Sequence, residues 1–447
     1  MRVAFHTLGC KVNQYETEAM KEAFVSRGAD IVSEDEAADV YIVNTCTVTN
    51  IADRKSRQYI RRMKSLNPDA FVAVTGCYAQ VAADEIAEMP EVDLIVGNGS
   101  KAAICDMVYE RMQEGLPCAS FVMPRSALTE YEDMGLVVSS ESGMTRAYIK
   151  IQEGCDRFCS YCLIPFARGT VRSRPLDEII REAELLVSSG YKELVLTGIN
   201  TALYGTEKGY EWNRFPGEED LMPMQAVLSR LDNMEGDFRV RLSSLEPTVV
   251  DKDDVEKIIR YKRLCHHLHL SIQSGSSSVL ARMNRHYTRE EYLEIVKALR
   301  SYDPLYGITT DIIVGFPGET ESDFEDTLDI VRRAEFGRVH GFRYSPRRGT
   351  AGETLPDAVP GNVKNERAGL LEAEAEKAAA AFMEKNKGVT HTVLTEEIKD
   401  GYVTGYTGNY IRVYIENAEN IGLGEFCNVE LKQKYLDGCI AVLRQDG

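Results

Sequence analysis

Three cysteines fall within ten residues of one stretch, which reads Glu153-Gly154-Cys155-Asp156-Arg157-Phe158-Cys159-Ser160-Tyr161-Cys162. This C-x3-C-x2-C spacing lets a tight loop place three thiolates on one small inorganic group. Zinc usually takes four ligands, and no further Cys or His follows before Cys265, so a closed zinc site fits poorly. An iron–sulfur cubane fits better, because three cysteines leave one iron open to a substrate. The alternative of core cysteines is disfavoured, since free cysteines have no reason to cluster at ligand spacing.

Length and composition limit the class of protein. A chain of 447 residues is long enough for roughly two or three domains. Eleven cysteines and an N-terminal stretch without signal-peptide features predict a reducing, cytoplasmic compartment in which thiols serve as metal ligands. No apolar run approaches the roughly twenty residues that cross a bilayer. The net charge of −18 is unusual for a nucleic-acid binder, so any RNA contact must come from local basic groups.

The first part of the chain contains a second set of three cysteines. Predicted strands at residues 39–45 and 70–76 lead directly into Cys46 and Cys77, and a strand at 3–6 comes shortly before Cys10. Helical stretches separate these strands, which predicts a doubly wound parallel sheet. The carboxyl ends of parallel strands share one edge, where ligands bind. We therefore expect a second three-cysteine site, with three unrelated core cysteines as the alternative.

A basic stripe follows Cys46 within residues 53–66. At helical spacing one face carries Arg54, Arg57, Arg61 and Lys64. Such a stripe is a candidate for RNA phosphates, although a solvated helix face is the more common explanation.

Strands and helices alternate again from residue 147. Strands are predicted at 147–151, 193–197, 239–243, 267–272, 309–314 and 339–344. Six strand–helix units with right-handed crossovers predict a partial (β/α)6 barrel with the cysteine loop at its mouth. Polar loops follow the strands, and the candidate cofactor contacts are Tyr161, Gly198, Asn200, Glu246, Gln273 and Arg285. Three arginines after the last strand are candidate RNA contacts, namely Arg343, Arg347 and Arg348.

The predicted organisation is an α/β multidomain chain. It comprises an N-terminal domain (1–125), a linker (126–143), the central barrel (144–386) and a C-terminal domain (387–447). The last region alternates apolar and polar residues between Gly and Asn turns, which predicts a small antiparallel β-barrel.

With both cysteine sets, the sequence resembles the radical S-adenosylmethionine (SAM) methylthiotransferases over nearly its whole length, and its last domain resembles a TRAM domain. The resemblance is closest to the MtaB type, which acts on threonylcarbamoyladenosine in tRNA. It rests on the motifs Thr7-Leu8-Gly9-Cys10-Lys11-Val12-Asn13-Gln14-Tyr15-Glu16, Asn44-Thr45-Cys46-Thr47-Val48-Thr49 and Gly76-Cys77-Tyr78-Ala79-Gln80.

The resemblance implies two 4Fe–4S clusters and SAM. One cluster would cleave SAM on Cys155, Cys159 and Cys162, and an auxiliary one would hold sulfur on Cys10, Cys46 and Cys77. The reaction would place a methylthio group on C2 of the adenosine 3′ of the anticodon. Its partners would be the tRNA anticodon arm, a low-potential electron donor such as flavodoxin or ferredoxin, and a sulfur donor. One arginine after the last barrel strand is expected to bind the threonyl carboxylate.

Three alternatives stay open. The same chemistry could act on isopentenyladenosine in tRNA, or on an aspartate of a ribosomal protein. A non-catalytic iron–sulfur regulator that binds RNA is the third, and it would not bind SAM. The polar loops at successive strand ends argue against it.

Overall fold

The computed structural model describes residues 1–114, 118–136, 145–247, 252–418 and 420–444. Within these ranges the chain forms a parallel sheet, a second set of parallel strands and a small closed barrel. The main hydrophobic core lies between the second set of strands and the helices around it.

The N-terminal unit is a parallel sheet whose described strands lie in the order β2-β1-β3-β4-β5-β6. They are β1 (Arg2–Thr7), β2 (Asp30–Val32), β3 (Val40–Thr45), β4 (Phe71–Gly76), β5 (Leu94–Val96) and β6 (Ala119–Phe121). The helices are α1 (Lys11–Ser26), α2 (Asn50–Leu66), α3 (Cys77–Val81), α4 (Ala83–Ala87) and α5 (Ile104–Glu114). Helices α1 and α5 pack on one face and α2 to α4 on the other, so the predicted doubly wound sheet is confirmed.

The central unit carries the strands predicted from residue 147 onward. They are β7 (Arg146–Glu153), β8 (Arg172–Ser173), β9 (Glu193–Gly198), β10 (Arg239–Leu242), β11 (His267–His269), β12 (Gly307–Val314) and β13 (Arg338–Arg343). All except the short antiparallel β8 run parallel to their neighbours. Two isolated parallel bridges connect the regions of β10 and β11. Val240 of β10 pairs with Leu264 before β11, and Leu245 after β10 pairs with Leu270 after β11. The closure of these strands into a partial (β/α)6 barrel stays a prediction.

Helices follow the central strands and cover one of their faces. They are α6 (Ile164–Arg168), α7 (Leu176–Ser188), α8 (Pro223–Asn233), α9 (Lys252–Ile258), α10 (Ser277–Arg282), α11 (Arg289–Tyr302), α12 (Glu321–Ala334) and α13 (Gly361–Lys385). Helices α7 to α13 bury alternate strand residues in the main core, so the intervening residues point to the opposite side. We call that side the inner face, and helix α1 of the N-terminal unit lies against it.

The C-terminal unit is a closed barrel with the strand order β14-β15-β16-β18-β17. Its described strands are β14 (Thr390–Lys399), β15 (Tyr402–Thr407), β16 (Arg412–Glu416), β17 (Phe426–Tyr435) and β18 (Gly438–Leu443). The sequence predicted antiparallel pairing, but β16 and β18 pair in parallel. The reason is that β17 crosses to β14, so β18 returns beside β16 in the same direction.

The described part of the predicted linker, 126–136, is packed against both neighbouring units. Leu128 is 1 % exposed, and the Tyr131 hydroxyl donates to the Lys150 carbonyl over 3.0 Å. The Glu132 carboxylate accepts from the backbone N–H of Ala102 over 2.9 Å. Residues 137–143 of the predicted linker lie outside the described residues.

The buried carboxyl group of Glu132 predicts a pH-dependent stability. Burial raises the pKa of Glu132 from its ordinary value of 4.5 to about 7, so the folded chain holds this proton more tightly than the unfolded chain. The free energy of unfolding therefore falls as the pH rises from about 4.5 to about 7. Relative to wild type, Glu132→Gln should gain about 2 kcal/mol more free energy of unfolding at about pH 8 than at about pH 5.

Urea unfolding at the two pH values measures this gain. Glu130→Gln is the matched control, because Glu130 is exposed two residues away, and it should show no pH-dependent gain. The same gain for Glu132→Gln at both pH values would contradict the prediction.

Candidate active site

The first candidate site lies at the carboxyl edge of the N-terminal sheet. Strands β1, β3 and β4 are adjacent there, and Cys10, Cys46 and Cys77 follow their ends. Gly9 and Gly76 have φ angles of +111° and +98°, and a Cβ on Gly9 would lie 3.1 Å from the Cys46 Sγ. These turns require glycine, and they hold the Cys10 loop against Cys46. The structure thus brings the three cysteines to one edge.

Arg168, which the sequence did not single out, joins this edge to the central unit. Its buried guanidinium donates from Nε to the Cys77 Sγ over 3.3 Å and from Nη2 to the Asn13 Oδ1 over 2.6 Å. The Asn98 Nδ2 lies 3.8 Å from the same sulfur. Helix α6 carries Arg168 and begins just after Cys162. One short helix therefore links the two cysteine sets.

A buried ion network centred on Glu16 lies behind Arg168. Glu16 accepts from Arg168 over 2.7 Å, from Lys150 over 3.1 Å and from Lys101. Glu153 accepts from Arg168 over 2.6 Å and from Lys150 over 2.9 Å. Burial alone would raise the pKa of Glu16, but the three cations outweigh it and hold that pKa well below its ordinary value. The network contains residues of both units and fixes how they dock.

The second candidate site is the loop after β7. Gly154 has a φ of +72°, and a Cβ there would lie 1.6 Å from the Thr170 carbonyl oxygen, so this turn also requires glycine. The turn leads into Cys155, Cys159 and Cys162, which lie close enough to influence one another electrostatically. The structure therefore brings this second set of cysteines together as well.

Side chains that follow α10 hold the loop after β7 in place. The Asn284 Nδ2 donates to the carbonyls of Arg157 and Phe158, both over 3.1 Å. The Arg285 Nη1 lies 3.3 Å from the Cys159 Sγ and donates to it. These contacts fix the loop against the chain that follows α10.

Two of these thiols, one in each set, are poorly suited to remain free thiolates. Burial raises the pKa of Cys46 and of Cys155 to about 12, and neighbouring sulfurs (Cys77 and Cys10 for the first, Cys159 for the second) act in the same direction. A bound metal reverses this, because it takes the thiolate form directly. Among the described residues, no three Cys, His, Asp or Glu side chains converge on a single metal ion. Sets of three thiols with N–H donors directed at a sulfur fit an iron–sulfur cluster.

A polar pocket adjoins the second set. The Asn200 Nδ2 donates to the Glu246 carboxylate over 2.7 Å, and Arg285 and Arg157 each lie 3.3 Å from that carboxylate. The Asn200 Oδ1 is buried without a hydrogen-bond partner among the described residues, which leaves an acceptor available to a ligand. The candidate contacts Asn200, Glu246 and Arg285 therefore lie together beside Cys159.

The other candidate cofactor contacts lie around this polar pocket. A Cβ on Gly198 would lie 3.0 Å from the Gln152 Oε1, which accepts from the backbone N–H of Asn200. Gln273 has a φ of +71° and is half-buried. Tyr161 packs against a small hydrophobic cluster that contains Tyr344.

The candidate RNA residues on α2 divide into two kinds. Arg54 and Arg61 are exposed. Arg57 and Lys64 form ion pairs with carboxylates of the N-terminal unit at 2.7 and 3.0 Å. The first two are the better placed to meet a phosphate.

The three arginines at and after the end of β13 also differ. Arg343 and Arg348 are exposed, and Arg343 donates to Asn365. Arg347 is buried, forms an ion pair with Asp53 at 2.6 Å and donates to the Thr47 hydroxyl over 2.6 Å. This burial favours a structural role for Arg347, which joins α2 to the central unit, over the predicted contact with RNA.

Comparison with known proteins agrees with this geometry. A model described as "Uncharacterized protein family UPF0004" matches residues 2–97, and that of the Radical SAM superfamily matches residues 149–331. Threonylcarbamoyladenosine tRNA methylthiotransferase MtaB of Bacillus subtilis is 40 % identical over 436 residues, which cover 96 % of this chain and 93 % of that protein. The chain belongs to the radical SAM methylthiotransferase family. It is therefore an enzyme, a transferase, and membership implies SAM and a 4Fe–4S cluster.

Another relative is named for a different substrate. The tRNA-2-methylthio-N(6)-dimethylallyladenosine synthase of Moorella thermoacetica is 38 % identical over 371 residues, which cover 81 % of this chain and 79 % of that protein. Among solved structures, the radical S-adenosylmethionine methyltransferase TsrM of Kitasatospora setae matches with a TM-score of 0.58 and 13 % identity, over 84 % of this chain and 89 % of that one. This likeness concerns the fold alone. In the described part of this methylthiotransferase, no helix is long and apolar enough to span a membrane.

The ion network predicts that Glu16 is important for stability. Glu16→Gln removes a charge that three buried cations share, and a buried charge without its partner is costly. We expect a loss of about 3–5 kcal/mol in the free energy of unfolding, measured by urea at neutral pH.

Glu18→Gln on the same helix is the matched control. The Glu18 ion pair with Lys21 is partly exposed, so its loss should cost less than about 1 kcal/mol. Similar small losses in the two variants would show that the network adds little to stability.

Proposed function

We propose that this methylthiotransferase replaces the hydrogen on C2 of N6-threonylcarbamoyladenosine, 3′ of the anticodon in tRNA, with a methylthio group. The observation that carries the proposal is the pair of three-cysteine sets at the strand ends of adjoining units, linked by Arg168. The near full-length relative named MtaB supports the choice of substrate.

The loop after β7 is the proposed SAM site. Its cysteines would hold a 4Fe–4S cluster with one open iron, which when bound supplies the electron that turns SAM into a 5′-deoxyadenosyl radical. The chain binds and orients the cofactor. Glu246 and the free Oδ1 of Asn200 are acceptors for amino or hydroxyl groups, and Arg285 is a donor for a carboxylate. The remaining proposed cofactor contacts are Tyr161, Gly198 and Gln273.

The edge of the N-terminal sheet is the proposed auxiliary site. Cys10, Cys46 and Cys77 would hold a second 4Fe–4S cluster, which supplies the sulfur. Donation from Arg168 to the Cys77 sulfur would fix the orientation of this ligand. Cys10 is exposed whereas Cys46 and Cys77 are buried, so this site is open on the Cys10 side.

The RNA surface that we propose surrounds the two sites. Arg54, Arg61 and Arg348 offer charge to phosphates. Phe158 and Phe166 are each 41 % exposed and lie edge to face at 5.9 Å, where bases could stack on them. The proposed TRAM domain at 387–447 would add further contacts. One SAM would supply the methyl group, leaving S-adenosylhomocysteine, and a second would supply the radical that takes the C2 hydrogen, leaving methionine and 5′-deoxyadenosine. A low-potential electron donor such as flavodoxin or ferredoxin, and a sulfur donor, complete the reaction.

The two cysteine sets should have separable roles. Reconstituted wild type should carry about eight irons per chain. Cys46→Ala should lose half of them and still form 5′-deoxyadenosine, because SAM cleavage needs only the loop after β7, but it should give no methylthiolated RNA. Cys159→Ala should lose the other half and form neither product.

Iron analysis and chromatography of 5′-deoxyadenosine read out this division. Cys118→Ala is the control, since Cys118 is exposed and outside both sets, and it should match wild type. Loss of SAM cleavage in Cys46→Ala with half of the iron retained would show that the roles are divided differently.

The substrate assignment is tested with three anticodon stem-loop RNAs that differ at one adenosine. They carry threonylcarbamoyladenosine, isopentenyladenosine or plain adenosine. We expect a methylthio product, detected by nucleoside mass spectrometry, from the first RNA alone. Turnover of the isopentenyl RNA would favour the alternative substrate, and turnover of plain adenosine would remove the requirement for a modified base.

A further inference from the structure

A cavity of about 470 Å³ lies between α3, the chain that follows β6 and α6. We call it the α3–α6 cavity. Val81, Val122 and Leu163 contribute to its apolar wall, and Phe166 and Arg348 line it as well. Sites for small molecules usually measure roughly 300–1,000 Å³. The cavity is therefore large enough for one base or a group of similar size.

Hydrogen bonds hold the wall of the α3–α6 cavity in place. The Gln80 Nε2 donates to the Met123 carbonyl over 2.7 Å, and the Gln80 Oε1 accepts from the backbone N–H of Asn98 over 2.8 Å. The Arg125 Nε donates to the Pro165 carbonyl over 3.0 Å. These bonds join α3 and α6 to the chain after β6, so the cavity is formed before a ligand enters it.

The charges around the α3–α6 cavity favour an anionic ligand. No carboxylate is present among the described residues that line it, although the whole chain has a net charge of −18. Arg125 pairs with Asp156 at 3.3 Å, and the Glu353 carboxylate accepts from the backbone N–H of Gly349. Arg348 is exposed and forms no ion pair within the described ranges. Its guanidinium is therefore available to a phosphate.

Phe166 gives the cavity an aromatic surface. Its side chain is exposed on α6, and the ring of Phe158 lies edge to face with it at 5.9 Å. The Arg125 guanidinium lies over the Phe158 ring, 4.9 Å from its centroid. Every nucleobase has a π face that can stack on an exposed ring such as that of Phe166. The cavity thus offers one partner for a base and one for a phosphate.

The α3–α6 cavity is built by elements that carry a cysteine of each set. Helix α3 begins at Cys77 and supplies Gln80 and Val81, and Leu163 directly follows Cys162. A nucleotide in the cavity would lie beside both proposed cluster sites without occupying either. Its position therefore suits a neighbour of the target adenosine in the same RNA strand.

We propose that the α3–α6 cavity binds one nucleotide of the anticodon loop next to the target adenosine, with its base on Phe166 and its phosphate at Arg348. The proposal rests on the proposed function, and it adds a second nucleotide to what the enzyme recognises. An acidic electron donor is the other candidate occupant. A concave site of this size suits an inserted base better than the surface of a folded protein.

Binding of anticodon stem-loops tests the base contact. Three RNAs carry threonylcarbamoyladenosine: one is intact, one is abasic at the nucleotide 5′ of the target, and one is abasic at the nucleotide 3′ of it. Reconstituted full-length wild type with SAM should bind one abasic RNA about 5- to 100-fold more weakly than the intact RNA. Phe166→Ala should bind the intact RNA equally weakly and lose nothing further with that abasic RNA. Phe166→Tyr should bind as wild type does.

Salt dependence tests the phosphate contact. In Arg348→Gln the slope of the logarithm of the binding constant against the logarithm of the salt concentration should become shallower by about 1, because one counterion fewer is released. A second cavity, formed by α7, α8 and the chain before α8, supplies matched controls. Phe215 and Arg181 line it, but so do three carboxylates, those of Asp177, Glu184 and Glu218. Phe215→Ala and Arg181→Gln should therefore bind as wild type does.

Iron content is checked for each variant, and Phe166→Leu replaces Phe166→Ala if the latter binds less iron. Equal binding of all three RNAs by wild type, or unchanged binding by Phe166→Ala, would overturn the proposal. A Phe166→Ala defect confined to 5′-deoxyadenosine formation with flavodoxin, and absent with dithionite, would also overturn it, because the cavity would then bind the electron donor. Failure of the proposed function would appear differently, as no methylthio product from wild type and the intact RNA.

Discussion

Both cysteine sets depend on the hydrogen bonds and ion pairs of one buried guanidinium, that of Arg168. It reaches from the helix after Cys162 to the Cys77 sulfur and to Glu16. A charge that is fully buried must keep its partners, because separation from them costs several kcal/mol. The N-terminal sheet and the central strands therefore cannot shift relative to each other without breaking these bonds. The hydrogen bonds and ion pairs of Arg168, in addition to apolar packing, thus fix the position of the two proposed clusters relative to each other.

The cysteines of both sets were predictable because general rules place them. The C-x3-C-x2-C spacing predicts the set in the loop after β7. The shared edge of parallel strands predicts the set that begins with Cys10. No comparable rule finds Arg168, since its partner Glu16 is 152 residues away. The same limitation affected Arg347, whose partner Asp53 lies 294 residues earlier. A sequence shows that a residue is basic but not whether its charge meets solvent, RNA or a buried carboxylate.

Strand positions were more predictable than strand partners. Hydrophobic alternation indicated the C-terminal barrel, but the parallel pair β16 and β18 depends on where β17 crosses, which alternation does not encode.

The position of Arg168 also bears on how the enzyme matures. The ribosome completes the N-terminal sheet, which ends at Phe121, before it makes Arg168. During that interval Glu16 and the Cys77 sulfur lack the guanidinium that later contacts them. Docking of the central strands then closes the site except on the side of Cys10, which stays exposed. For the auxiliary cluster proposed above, this order of synthesis gives iron and sulfide access to the thiols before docking, and access from the Cys10 side afterwards.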